Sequence, residues 1–499
     1  MTLIFKGNDF KYELEAVCKL FFPVKTFNFF FADIETVPDL NGEDYCYIAR
    51  QKRRANTLLS VYAKIGGKRY ALTEIVDNGI NDYDDTCEFI LGKIMYRVLS
   101  HITGITPKWG ILTGVRPVKL VNKLMKTGMT RDEIQNLLKT KYLMSEEKIN
   151  IAYATAKNQE DIMSGVDERS FSLYVSIPFC PTRCAYCSFV SQTVSSFKKL
   201  MPEYVKKLCQ EIRYTASLVK DKGFTLDTVY FGGGTPTSIE AKDLDTIMKT
   251  IAECFDLSHL REYTVEAGRP DTITADKLKA IKQNGGTRVS INPQTMHDSV
   301  LEAIGRKHTV SEFLDSYSLA KSIGFDCVNV DLIAGLPTDT VNDFKETVES
   351  IIALQPENIT IHALSIKRAA DLMQDQRDVS SQVASDMIDY ATTRLTEEGY
   401  LPYYLYRQKN QLGNQENIGW TKKGKASVYN ITIMEEVQTI IAVGAGGSTK
   451  LVDLKNRELE RFFNPKYPLE YLKHFEDMVI PRKEKAIALL GEMFNDKKE

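Results

Sequence analysis

From Ser170 onward the chain alternates short β-branched or aromatic runs with amphipathic stretches of helical period, and this rhythm restricts the fold more than any other feature. The strands it places are Leu173–Ile177, Thr228–Phe231, Tyr263–Glu266, Arg288–Ile291, Cys327–Leu332 and Asn358–His362. A strand followed by a helical crossover returns in the same direction and pairs in parallel, so the pattern predicts an α/β fold with a parallel sheet. Helix starts carry the capping-box signature at Thr237 with Glu240 and at Thr309 with Glu312. Six βα units predict a partial (β/α)6 barrel rather than a closed eightfold one.

In parallel α/β barrels the chemistry sits where the strands end. Here the ends are marked in succession. The first leads to Cys180-Pro-Thr-Arg-Cys184-Ala-Tyr-Cys187, the second to Gly232-Gly-Gly-Thr235 and the third to Glu266. The fourth leads to Gln294, the fifth carries Asp331 before Gly335-Leu-Pro337, and the sixth ends at His362 to Ser365. Three cysteines at spacings of four and three on one loop can place three thiolates around one small cluster. A tetrahedral zinc site needs a fourth protein ligand, and no Cys or His follows within the next twenty residues. An iron-sulfur cubane held by three cysteines keeps one iron open.

The cysteine loop, with an aromatic residue before its last cysteine, followed by Phe231-Gly-Gly-Gly-Thr-Pro236, resembles the radical S-adenosylmethionine (SAM) superfamily. The nearer resemblance, over roughly residues 170 to 450, is to the oxygen-independent coproporphyrinogen III dehydrogenase family, in its variant with a long N-terminal extension. It implies that Cys180, Cys184 and Cys187 hold a 4Fe–4S cluster, and that one or two SAM molecules bind. It carries SAM contacts onto Tyr174, Tyr186, Gly233, Gly234, Thr235, Glu266, Gln294, Arg306 and Asp331. In the implied reaction an electron from the cluster cleaves SAM to an adenosyl radical, which takes a hydrogen from the β-carbon of a propionate. Loss of carbon dioxide and an electron leaves a vinyl group, and two rounds give protoporphyrinogen IX. The implied partners are a tetrapyrrole, coproporphyrinogen III or haem, and a reductant protein such as a flavodoxin or ferredoxin.

A substrate with four propionates needs cationic holders, and the candidates are Arg183, Arg269, Arg288, Arg407 and Arg116. The chain differs from the family pattern at Ser176, where a histidine is common, and at Phe189, where a further cysteine is common. Related haem-trafficking chaperones carry a His-Asn-x-x-Tyr-Trp box, whereas this chain has Gln415-Glu-Asn-Ile-Gly-Trp420. The alternative readings are therefore such a chaperone, or another anaerobic tetrapyrrole-modifying enzyme.

Residues 1–165 lie outside most of the resemblance and predict an α+β accessory domain with a helical connector. Their pointed stretch is Trp109-Gly-Ile-Leu-Thr-Gly-Val-Arg116-Pro117, where Pro117 opens a helix. Residues 166–370 form the barrel. Residues 371–499, with a helix over Val379–Glu398, an aromatic strand at 399–406 and a glycine turn at 444–447, predict an α/β domain closing over its mouth. The 64 Lys and Arg against 66 Asp and Glu give no field that favours nucleic acid. No apolar run is long enough to span a bilayer and the first residues lack a signal-peptide core, which predicts a cytoplasmic protein. The odd number of scattered cysteines, 9 in all, argues against a disulfide framework.

Overall fold

The computed structural model describes the chain except residues 24, 32–41, 188, 190, 366–380, 409–414, 455, 457 and 496–499. It divides into two compact units, Met1–Tyr153 and Ala154–Glu499.

The first unit is built on a sheet of β1 (Thr2–Lys6), β2 (Asn28–Phe31), β3 (Tyr45–Lys52), β4 (Asn56–Ile65) and β5 (Lys68–Asp77), in the order β2-β1-β3-β4-β5. Every second residue of β4 is buried, as expected of a strand with one covered face. Leu59, Val61 and Ala63 pack with Leu14, Cys18, Leu91, Met95 and Leu99 of the helices Lys11–Phe21 and Tyr83–Thr103. Helices Pro117–Lys126 and Arg131–Thr140 follow, the first opened by Pro117 as expected, with Arg116 as its N-cap residue, and the helix Glu146–Ser164 begins in this unit and ends in the next.

In the second unit the six anticipated strands are β6 (Ser170–Ile177), β9 (Thr225–Gly233), β10 (Glu262–Glu266), β11 (Arg288–Ser290), β12 (Cys327–Ala334) and β13 (Asn358–Ala363). They are neighbours in sequence order and parallel throughout. The short strands β7 (Phe179–Cys180) and β8 (Gln192–Thr193) pair with each other on either side of the cysteine loop. Later strands join the same sheet at both ends. β14 (Leu401–Arg407) and β15 (Glu416–Thr421) extend it antiparallel beyond β13. β16 (Thr439–Val443) lies parallel to β6, and β17 (Ser448–Asp453) and β18 (Glu458–Phe463) continue from it. Among the described residues the sheet thus has eleven strands, a parallel α/β core of six flanked by strands from the C-terminal part.

The capping box anticipated at Thr309 is present, closed at its other end by Gly324 in the left-handed conformation. The one anticipated at Thr237 is not. Pro236 starts a short 3-10 turn there, the Thr237 hydroxyl bonds Thr272 Oγ1 at 2.7 Å, and the helix begins only at Ala241. The helix placed over Val379–Glu398 is observed from Ser381 to Glu397, its first two expected positions lying outside the described residues.

Candidate functional site

The two faces of the parallel strands differ in chemistry. Leu173, Val175, Val229, Phe231, Val265, Val289, Val328, Val330, Ile359 and Ile361 are buried on one face. The alternate positions are polar: Ser172, Tyr174, Thr228, Tyr230, Glu262, Thr264, Glu266, Arg288, Ser290, Asn329, Asp331, Asn358 and Thr360. Barrel interiors are ordinarily filled by Val, Ile and Leu. Here the interior face is a ladder of hydrogen bonds, because a buried polar group must find a partner. Thr228 bonds Ser172 at 2.7 Å, Asn329 Nδ2 bonds Ser290 Oγ at 2.7 Å, and Thr360 Oγ1 bonds Asn329 Oδ1 at 3.2 Å. Tyr404 OH of β14 donates to Thr360 at 3.2 Å.

At the N-terminal end of the strands this face is closed by Glu262, which accepts from Thr264, Ser427 and the Val428 N–H at 2.7–2.9 Å. Arg288 lies beside it, bonded to Lys425 O at 2.8 Å and to Asn358. The cysteines follow the opposite end of the strands. Arg288, a candidate propionate holder from sequence, is therefore a closing group of the barrel floor, its donors taken by the protein.

At the C-terminal end the cysteine loop leaves β7 and packs on the glycine turn that follows β9. The N–H groups of Gly234 and Thr235 donate to Ile177 O at 2.9 Å and Phe179 O at 2.7 Å. A Cβ on Gly234 would lie 2.6 Å from Phe179 O, and Gly233 has φ +109°. The glycines are thus required by the close approach of two strand ends, not only by an approach to a ligand. Thr235 Oγ1 stands 3.4 Å from Cys180 Sγ. Ser176 is buried and donates to Ala445 O at 2.6 Å, so the strand that delivers the cysteines is tied to the turn after β16. Phe189 is exposed beside the loop.

Two buried arginines hold the loop from the other side. Arg269 forms a bidentate pair with Asp271 at 3.0 and 2.9 Å, and its Nη1 donates to Thr182 O at 2.9 Å with Cys184 Sγ at 3.6 Å. Arg306 donates to Tyr186 OH at 3.3 and 3.0 Å and to Gly268 O at 3.0 Å. Burial raises the Cys187 thiol pKa, the neighbouring thiols add to the rise, and Arg306 opposes it.

Further along the same rim, Tyr174, Tyr230 and Tyr429 stack, with centroids 4.2 Å apart for Tyr230 and Tyr429 and 6.2 Å for Tyr174 and Tyr230. Tyr230 OH donates to Glu266. Burial pushes the Glu266 carboxyl up to about 7 against the opposing bond from Tyr230, and Asp331 adds to the rise. Burial would raise Asp331 too, but His362 at 3.7 Å, Asn329 and Thr360 hold it below its ordinary value. Asn292 Nδ2 and Asn329 Nδ2 each donate to Asp331 at 2.8 Å. One carboxyl is thus raised and the other lowered in one rim. Gln294 is buried with φ +72°, its side-chain oxygen without a partner, and both ring nitrogens of buried His308 are likewise unpartnered.

Of the remaining candidates, Arg183 is exposed on the cysteine loop, and Arg407 is buried opposite Glu416 in the β14–β15 ladder, where burial draws it down to about 10. Arg116 belongs to the first unit. Sequence reasoning did not single out Tyr230, Tyr429, Asn292, Asn329, Asp271 or His308. For Tyr230 and Asn329 the signal was available, since polar residues alternated with buried apolar ones along their strands; Tyr429 arrives from a helix, Val428–Glu435, with no local mark.

Among the described residues no three His, Cys, Asp or Glu side chains stand close enough for a single metal ion. Zinc with S bonds of about 2.3 Å needs its thiolates roughly 4 Å apart. A four-iron cluster spreads its thiolates over separate irons, and the donor set of three thiols flanked by buried cations, with polar atoms left open nearby, fits such a cluster with a small polar ligand beside it.

Residues 174–351 match the Radical SAM superfamily, which is the class that this fold and loop define. The chain is 41% identical to the oxygen-independent coproporphyrinogen-III oxidase-like protein HemZ of Bacillus subtilis over 77% of this chain and 78% of that one. It is 30% identical to the heme chaperone HemW of Lactococcus lactis over 58% and 72%. The crystal structure of coproporphyrinogen III oxidase (HemN) from Escherichia coli shares the fold, with a TM-score of 0.52 at 22% identity, over 64% of this chain and 72% of that one. The chain belongs to the radical SAM family of oxygen-independent coproporphyrinogen III oxidase-like proteins. Its cofactors are accordingly a 4Fe–4S cluster and SAM. No described helix is long and apolar enough to cross a membrane.

Proposed function

We propose that the protein is an oxidoreductase that decarboxylates two propionates of coproporphyrinogen III to vinyl groups without oxygen, giving protoporphyrinogen IX. The observation that carries the reading is the polar interior face, which rises from the Glu262–Arg288 floor to the strand ends that carry Glu266, Asp331 and the tyrosines, the same end of the sheet from which the cysteine loop departs. Cys180, Cys184 and Cys187 hold the cluster. When bound, the cluster and SAM together supply a carbon radical able to remove a hydrogen atom from an unactivated C–H bond.

The chain's own residues position and protect that event. Gly233, Gly234 and Thr235 seat the loop against β9; since the N–H groups of Gly234 and Thr235 are spent on Ile177 and Phe179 and the Thr235 carbonyl accepts from Ser238 N, they offer SAM the glycine carbonyls and the Thr235 hydroxyl. Asp331, kept ionised, suits ribose hydroxyls, and Gln294 and Glu266 offer further polar contacts. Arg306, its donors engaged by Tyr186 and the Gly268 carbonyl, would take a carboxylate of the cofactor by exchanging one of those bonds. The aromatic faces of Tyr174, Tyr230 and Tyr429 keep water from the rim. Arg183, exposed on the cysteine loop, is a candidate propionate holder. Residues 371–499 contribute the closing elements, since β14 and β15 flank the barrel on one side and β16 on the other. A flavodoxin- or ferredoxin-type protein supplies the electron.

Similarity to the heme chaperone supports a second reading, haem carriage. Against it, Gln415–Trp420 lacks the histidine and tyrosine of the chaperones' His-Asn-x-x-Tyr-Trp box, Glu416–Trp420 lies in buried strand β15, and Trp420 is 1% exposed. Anaerobic reconstitution, incubation with coproporphyrinogen III and a low-potential reductant, and mass analysis test the proposal. Loss of two carbon dioxide units is expected. Reductive cleavage of SAM with no decarboxylation refutes the substrate, and tight haem binding without turnover selects the carrier reading.

A further inference from the structure

Arg269 does something the reaction scheme does not ask of it. Its guanidinium is 3% exposed, its Nε and Nη2 are paired with Asp271, and its Nη1 is directed at the cysteine loop, 2.9 Å from Thr182 O and 3.6 Å from Cys184 Sγ. A substrate carboxylate would have to displace Asp271 to reach it, so the structure removes Arg269 from the propionate holders and gives it to the loop.

We propose that Arg269 is a positioning residue that raises the reduction potential of the cluster by donating its Nη1–H to the Cys184 sulfur, with Asp271 moderating its charge. The inference rests on Cys184 being a cluster ligand. Reduction adds one negative charge to the cluster and its thiolates. A fixed cation and hydrogen-bond donor at one sulfur, shielded from water, stabilises that added charge more than it stabilises the oxidised form. Asp271 acts in the opposite sense, because its carboxylate lies on the far side of the same guanidinium. The pair therefore sets the potential by the difference of two charges, while the bond to Thr182 O fixes the distance at which the cation acts.

A brace without electrostatic influence predicts changes in loop order and iron uptake, but no opposed shifts in potential. The test is an EPR-monitored redox titration of the anaerobically reconstituted full chain and its Arg269→Gln, Arg269→Lys and Asp271→Asn variants, each with iron content measured. Arg269→Gln is expected to lower the reduced-to-oxidised ratio at a fixed donor potential about tenfold, which for a one-electron couple is a fall of about 59 mV. Asp271→Asn is expected to move the potential upward, and Arg269→Lys to lie between Gln and the parent. Equal potentials in fully loaded Arg269→Gln, Asp271→Asn and parent overturn the proposal. If Arg269→Gln takes up no iron, the direction of the Asp271→Asn shift decides: upward supports it, and none or downward overturns it. A Cys184→Ala variant that keeps the parent's iron and potential instead refutes the ligand assignment, and the inference with it.

Discussion

The approach of the glycine turn to the cysteine loop gives a sharp test in Gly234→Ala. An added Cβ would stand 2.6 Å from Phe179 O, 2.8 Å from Phe179 N and 2.9 Å from its carbonyl carbon, all backbone atoms that no rotamer change can move. Relief means separating β7 from the turn, which stretches the bonds from Gly234 N to Ile177 O and from Thr235 N to Phe179 O. Overpacking of this kind costs about 1–3 kcal/mol, and each weakened hydrogen bond up to about 1 kcal/mol, so a loss of about 2–4 kcal/mol is expected. The chain has 2 tryptophans, and in a Trp109→Phe background Trp420 reports on the second unit alone during urea unfolding. Gly491→Ala is the control: it lies in the helix Ile480–Asn495, where the new methyl meets only the flexible end of Lys222, and the exchange should be neutral or stabilising by up to about 1 kcal/mol. Iron uptake after anaerobic reconstitution should fall in Gly234→Ala and not in Gly491→Ala. Parental stability together with full iron uptake in Gly234→Ala would refute the reasoning that the glycine exists for strand approach.

Replacing Cys180, Cys184 and Cys187 together by alanine should abolish the iron-sulfur absorbance of an oxygen-free preparation, while far-ultraviolet circular dichroism stays parental. Glu266, raised from near 4.5 to about 7, binds its proton more tightly in the folded state; its contribution to stability is present at low pH and lost as pH rises from about 4.5 to 7. Glu266→Gln should therefore gain stability relative to the parent as pH rises through that window, and a variant-minus-parent stability difference that stays constant or falls with pH would count against the assignment. Asp339, also raised to about 7 by burial, adds a parallel trend that cancels in this difference. Glu211 is fully buried and accepts from Gly444 N, Asn464 and Tyr471 at 2.8 Å, with Lys483 at 3.3 Å. Glu211→Ala leaves Lys483 buried without its counter-charge and should cost about 3–5 kcal/mol, read by the same urea titration. A loss below 1 kcal/mol would show that water reaches the lysine.

The six parallel strands were legible because each is a β-branched or aromatic run bounded by helix starts, and periodicity is a local property. The cysteine loop was legible because its spacing is local too. The place of β14 to β18 in that sheet was not legible, since it depends on two non-local pairings, β15 with β13 and β16 with β6, and nothing in Thr439–Val443 names β6 as a partner. Non-local contact likewise hid Tyr429, which reaches Tyr230 from far along the chain, and the Thr237–Thr272 bond that displaced an expected helix cap. Arginine roles were the least legible. Arg269, Arg288 and Arg306 are alike in sequence, and only their partners separate a loop brace, a floor closure and a rim cation.

The pairing of β16 with β6 also orders events in time. The strand that presents the thiols has an uncovered side until a segment made much later in translation reaches it and the Ala445 carbonyl meets Ser176. Metal delivery to a nascent chain thus faces a half-finished cradle, and an exposed sheet edge is prone to wrong pairing. Cluster insertion should therefore follow the docking of β16 on β6 rather than precede it.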